Sequence, residues 1–154
     1  MRCWFCVVSN IRFCRVPQLY DSVGKKRKLM CVETHFIEYK DFHREKEPNK
    51  KAILAKLFKE ISAFANASGG EIIIGKEDNT GVEHKQPDCI YEWLENDRIT
   101  SSINQLSDNL IVFSAHRDGN LISIKVQESE DVISAKADTT GINEGDCFVR
   151  ENHE

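Results

Sequence analysis

The chain has 154 residues, with 21 Lys and Arg against 25 Asp and Glu, for a formal net charge of −4. That length suffices for one core without disulfides or metals to staple it, and 40% hydrophobic with 30% charged residues excludes a wholly disordered chain. A negative total argues against a protein that coats nucleic acid nonspecifically, because phosphate contacts rest on Lys and Arg.

The charge is unevenly placed. Arg2, Arg12, Arg15, Lys25, Lys26, Arg27 and Lys28 against Asp21 alone give residues 1–30 a charge of +6, which leaves −10 for the rest. Residues 1–30 therefore read as a basic extension, and Met30 is a candidate start standing just before the first convincing element. The Lys25 to Lys28 run reads first as a solvated linker, with a nuclear address or a phosphate-binding arm as alternatives. Trp4 to Val8 is too short for a signal-peptide core or a membrane span, so a cytoplasmic protein is expected, or a nuclear one if the source is eukaryotic. Cys3, Cys6, Cys14, Cys31, Cys89 and Cys147 are then expected as reduced thiols. Cys3-x-x-Cys6 lacks a second pair at zinc-site spacing.

Cys31 to Lys40 mixes β-branched and aromatic residues with polar ones and predicts a first strand. Pro48-Asn49 suits a helix entrance with Asn49 as N-cap. Ile53, Leu54, Leu57, Phe58, Ile61, Phe64 and Ala65 recur at offsets of three and four, which predicts a helix from about Lys50 to Asn66. Lys50, Lys51, Lys56 and Lys59 fall mostly off that stripe and give the helix a basic outer face. Ser68-Gly69-Gly70 ends it.

Glu71 to Lys76, with three consecutive isoleucines, predicts a buried central strand. A turn follows at Asp78 to Gly81, with Val82 opening a returning strand. Ile90, Trp93, Leu94, Ile99, Ile103 and Leu106 predict one or two helices, broken near Asn96-Asp97. Leu110 to Ala115 and Leu121 to Val126 form a hairpin around a connector at 116–120. Cys147 to Arg150 reads as a short last strand. This order describes an α/β (α+β) domain over 31–154, a mixed sheet with packed helices.

Glu33 and Glu38 bracket the first strand, and Glu77-Asp78 lie just past the central one. Carboxylates converging from separate segments suit Mg²⁺ or Mn²⁺, which prefer oxygen ligands and keep waters able to attack a phosphodiester. Among 25 acidic residues, unrelated surface carboxylates are the plainer account of composition alone. His35, His43, His84, His116 and His153 show no metal-ligand spacing and read as ordinary. With no G-x-x-x-x-G-K-[ST], an ATP-binding phosphate cradle is disfavoured.

Glu33, Glu38-Tyr39-Lys40, Ala63-Phe64-Ala65-Asn66, Gly69-Gly70 and Gly75-Lys76-Glu77 together resemble the signature of the Schlafen AlbA-type domain family over about 31–150. The resemblance implies nucleic-acid binding and a metal-dependent endoribonuclease acting on structured RNA such as tRNA. Glu33, Glu38 and Glu77, or Asp78, would hold the metal, and Lys40 would stabilise developing charge. Where RNA-cutting members have aspartate, this chain has Glu77. Lys40, Lys50, Lys51, Lys56 and Lys59 would face phosphates. RNA is expected over DNA, with no membrane partner, and a homodimer if RNA is clamped as by two-lobed members of the family. The alternative is a noncatalytic DNA-binding module of a transcriptional regulator; an ATP-binding role, as in divergent AAA-type ATPases, ranks last.

Overall fold

The computed structural model describes residues 36–44, 49–95 and 97–150. Its elements run β1 (Ile37–Lys40), α1 (Lys50–Ala65), β2 (Gly70–Ile74), α2 (Asp88–Glu95), α3 (Arg98–Leu106), β3 (Phe113–Asp118) and β4 (Leu121–Val126). The four strands form one mixed sheet in the order β1-β2-β4-β3. β1 and β2 pair in parallel, Glu38 opposite Ile72 and Lys40 opposite Ile74, and the other two pairings are antiparallel. The predicted α+β domain with a mixed sheet is the fold observed.

Helix α1 begins where Asn49 Oδ1 accepts from the amides of Lys51 and Ala52 at 3.0 and 3.4 Å, the capping role read from its position. Phe58, Ile61 and Phe64 are almost wholly buried, as are Ile72, Ile74, Ile122 and Ile124 of the sheet, and all belong to one core. Burial of this kind is worth roughly 1.5–3 kcal/mol per large apolar side chain. Gly70 permits the close seating of helix on strand: a Cβ there would lie 2.2 Å from the Phe64 ring and 2.8 Å from the Phe36 carbonyl.

The basic outer face predicted for α1 holds only over its first half. Ser62 and Ala63, outside the apolar stripe, are buried as well, because the irregular segment 127–150 lies across this end of the helix. Ile133, Ala135, Ile142 and Phe148 of that segment enter the core. Asn66 ties it down: Nδ2 donates to the carbonyls of Ile133 and Phe148 at 2.8 and 2.9 Å, and Oδ1 accepts from the Ile133 amide at 2.6 Å. Lys59 is held over the Phe148 ring, 5.6 Å from its centroid.

Several boundaries differ from those read in the sequence. Residues 31–35 of the predicted first strand lie outside the described residues, as do residues 1–30. The returning strand at Val82 reduces to a single bridge between Lys76 and Glu83. The second arm of the hairpin, Leu121–Val126, is as expected, but the first is shifted towards the C-terminus: β3 takes in His116, Arg117 and Asp118, and the loop is only Gly119-Asn120. Gly119 has φ +59° at the first central position, as a tight type II′ hairpin requires. Of the predicted last strand, residue 147 takes part in a bridge, and 148–150 belong to none of the four strands of the sheet.

Candidate functional site

Two clusters of charged and polar side chains meet β1, one on its helix-covered face and one just past its carboxyl end. Because side chains alternate along a strand, Glu38 and Lys40 share the face of Ile72 and Ile74 and look towards α1. Glu38 is only 5% exposed. One of its oxygens meets Lys40 Nζ and the other meets a guanidinium nitrogen of Arg150. Lys40 also reaches Glu60 of α1 at 3.2 Å. The Arg150 guanidinium lies 4.2 Å from the centroid of the Phe64 ring, and its Nη1 has no hydrogen-bond partner among the described residues.

These four groups balance in charge when all are ionised, which is what permits burial at the sheet edge. Burial opposes the charge on Lys40, but Glu60 and Glu38 outweigh it and raise its pKa above the ordinary value. Burial, helped by neighbouring Glu38, holds Glu60 above the usual carboxylate range despite Lys40 and Arg150.

The second cluster is assembled by β1, β2 and the loop that follows. Gly75, at φ +104°, turns the chain out of β2; its amide donates to the Lys40 carbonyl and its carbonyl accepts from the His84 amide, both at 2.8 Å. A Cβ at Gly75 would lie 2.8 Å from the Asn120 carbonyl. His84 is thereby brought beside Asp41, the residue after β1. Asp41 Oδ2 lies 2.6 Å from His43 Nδ1 and 2.7 Å from His84 Nδ1. The two imidazoles stack with centroids 3.8 Å apart and planes 23° from parallel.

Gln86, 2% exposed, fixes the carboxylate. Its Nε2 donates to Asp41 Oδ1 and to the His84 carbonyl, both at 2.9 Å, and its Oε1 accepts from the Phe42 amide at 2.7 Å. Burial works against the charge on Asp41, yet the hydrogen bonds from Gln86, the His43 amide and both histidine rings prevail and hold its pKa below the usual carboxylate value. Donor atoms of Asp41, His43 and His84 all lie within 4.8 Å of one another, near enough to hold one metal ion.

Arg44 adjoins this cluster, its Nε 3.4 Å from His43 Nε2 and its Nη2 3.3 Å from Glu77 Oε1. The other Glu77 oxygen accepts from Thr80 Oγ1 at 2.5 Å.

The acids singled out in the sequence are thus distributed. Glu38 and Lys40 share the buried ion group, Glu77 belongs with Arg44 and Thr80, Asp78 is exposed, and Glu33 lies outside the described residues. Among the described residues, Glu38, Glu77 and Asp78 do not make up a group with metal-ligand proximity, whereas Asp41, His43 and His84 do. Lys50, Lys51 and Lys56 are exposed, and Lys59 is half-buried. No helix among the described residues is long and apolar enough to cross a membrane.

The family model described as Schlafen, AlbA_2 matches residues 33–154. The chain belongs to this family. Membership suggests a nucleic-acid-related function for the Schlafen AlbA_2 domain described here. The crystal structure of the DIP2311 protein from Corynebacterium diphtheriae is similar over 71% of this chain, with 23% identity and a TM-score of 0.49. This chain spans 21% of that protein's length. No curated protein matches the chain.

The motif residues of this Schlafen AlbA_2 domain stand out because they fall in short runs that together resemble a family signature. Asp41, His43 and His84 belong to no such run, and 43 residues separate the carboxylate from the second histidine. Only the parallel pairing of β1 with β2 and the turn at Gly75 bring them together.

Proposed function

We propose that this domain binds nucleic acid through the exposed first half of α1, and that Glu38 and Lys40 serve architecture and not strand cleavage. The observation that carries the reading is the placement of Lys50, Lys51 and Lys56 on the exposed part of α1 with no acidic residue in its first turn. Lysines at a helix N-terminus add to the positive end of the helix dipole, a combination that draws phosphate. In the same proposal RNA is favoured over DNA, with two copies of the chain enclosing it.

A Mg²⁺- or Mn²⁺-dependent ribonuclease built on Glu33, Glu38 and Glu77 or Asp78 would need Glu38 to turn towards a metal. One Glu38 oxygen faces half-buried Lys40 and the other faces buried Arg150, and withdrawing it would strand Arg150, whereas Lys40 would keep Glu60. The binding reading asks for no such rearrangement.

Fluorescence anisotropy with labelled tRNA and with duplex DNA, over a range of salt, tests the proposal. Binding should weaken steeply with salt and favour tRNA, with light scattering showing two chains per RNA. Replacing Lys50, Lys51 and Lys56 with alanine should lower the salt slope by about 2–3, at roughly 0.7–0.9 for each phosphate no longer neutralised. An unchanged slope would place the phosphates elsewhere. Tighter binding to duplex DNA would favour the regulator module instead.

A further inference from the structure

The cluster past the end of β1 has a feature that simple structural hydrogen bonding does not require. Asp41 Oδ1 is satisfied by Gln86 Nε2 and the His43 amide, at 2.9 and 3.0 Å. Its other oxygen alone receives two imidazoles, which are stacked face to face. A carboxylate oxygen can accept two hydrogen bonds, but here both partners are imidazole Nδ1 atoms, 2.6 and 2.7 Å away, so three ligand-type atoms gather in one place.

We propose that Asp41, His43 and His84 form a two-histidine, one-carboxylate site for a divalent transition metal of the zinc class, through His43 Nδ1, His84 Nδ1 and Asp41 Oδ2. The metal takes the place of the two ring protons now shared with the carboxylate. Each neutral imidazole keeps one proton, which moves to Nε2 through solvent, so no net charge is created on the rings. Arg44, whose Nε lies 3.4 Å from His43 Nε2, must then release that nitrogen; its side chain is 80% exposed and can swing away.

Ligand atoms at about 2.0–2.2 Å from zinc stand roughly 3.3 Å apart in a tetrahedral site. The present separations of 2.6 and 2.7 Å must therefore open by several tenths of an ångström. Side-chain torsions supply that movement while Gln86 keeps hold of Oδ1. Two imidazole nitrogens select zinc, cobalt or nickel over magnesium, which prefers an all-oxygen shell. Three protein ligands, with side chains 11%, 26% and 27% exposed, leave a side open to water, as in metal sites that bind an exchangeable ligand. Gln86 acts as the outer-shell partner that orients the carboxylate. The site stands apart from the nucleic-acid reading, and either can fail alone.

The test uses the full chain, stripped with chelator and with its six cysteines alkylated so that thiols do not compete for metal. Zn²⁺ titration followed by NMR of the histidine ring carbons should move the signals of His43 and His84 and leave His35, His116 and His153 in place, saturating at one equivalent. Mg²⁺ should move none of them. Isothermal titration should show the affinity falling about tenfold or more in Gln86→Ala, within the roughly 10–100-fold range of outer-shell losses, and further in His84→Ala. The NMR arm uses the unmutated sequence, so misfolding of a variant leaves it decisive. Zn²⁺ that shifts other histidines, or no ring at all, overturns the proposal.

Discussion

Replacing Arg150 with methionine should destabilise the domain by about 3–5 kcal/mol, the usual cost of removing one partner from a buried ion pair. Arg150 is 4% exposed and Glu38 5%, so the carboxylate cannot recover its lost cation from solvent. The side chain of Arg150 also packs on Phe64, and methionine preserves much of that apolar packing. Urea unfolding with an unchanged m-value would report the loss as a lower midpoint.

The double variant Glu38→Leu/Arg150→Met should recover most of the stability, since two well-packed apolar side chains often replace a buried pair at little cost. Lys40 keeps Glu60 at 3.2 Å in that background and is not orphaned. A loss below about 1 kcal/mol in the single variant, the value of an exposed pair, would mean that Arg150 does not hold the C-terminal segment to β1.

The second large effect is expected at Asn66. Its side chain makes three hydrogen bonds to the backbone of Ile133 and Phe148, and Ile133 is fully buried. Asn66→Ala should cost about 2–4 kcal/mol, because each buried backbone group left without a partner costs roughly 1–3 kcal/mol and partial relaxation recovers some of it. Hydrogen exchange should locate the loss, with the Ile133 amide exchanging faster while amides of β2 and β4 change only through global stability. Asn66→Asp keeps the acceptor for the Ile133 amide but turns a carboxylate oxygen towards the two carbonyls that Nδ2 now serves, and should cost at least as much as alanine. Equal protection at Ile133 in the alanine variant would remove Asn66 from this role.

The elements with strong period are legible. The stripe from Ile53 to Ala65 marks α1 almost to the residue, and three isoleucines mark β2 because a strand facing the core needs little else. The hairpin reads too early for a physical reason. Leu110 and Val112 look like strand residues by alternation with Ile111, yet they are 73% and 49% exposed, and only Ile111 enters the core. Edge strand β3 buries little on its open side, so His116, Arg117 and Asp118 can belong to it although they read as a connector.

Segment 127–150 carries no helix or strand period, and its hold on α1 depends on single contacts such as Asn66. The motif acids are legible as a group of unusual residues, but not as partners of Lys40 and Arg150. Arg150 lies 112 residues from Glu38 and reads in the sequence only as part of a short terminal strand. The histidine cluster follows from topology alone: neither the parallel register nor the path from Gly75 to His84 has a local signature.

The most direct test of the account is incubation of labelled tRNA with the purified chain and Mg²⁺ or Mn²⁺, with retention and strand scission followed in the same samples. The account predicts retained, intact RNA, and no difference in scission between the native chain and a folded Glu38→Gln variant. Scission by the native chain that disappears in folded Glu38→Gln would contradict it and restore Glu38 to a catalytic role.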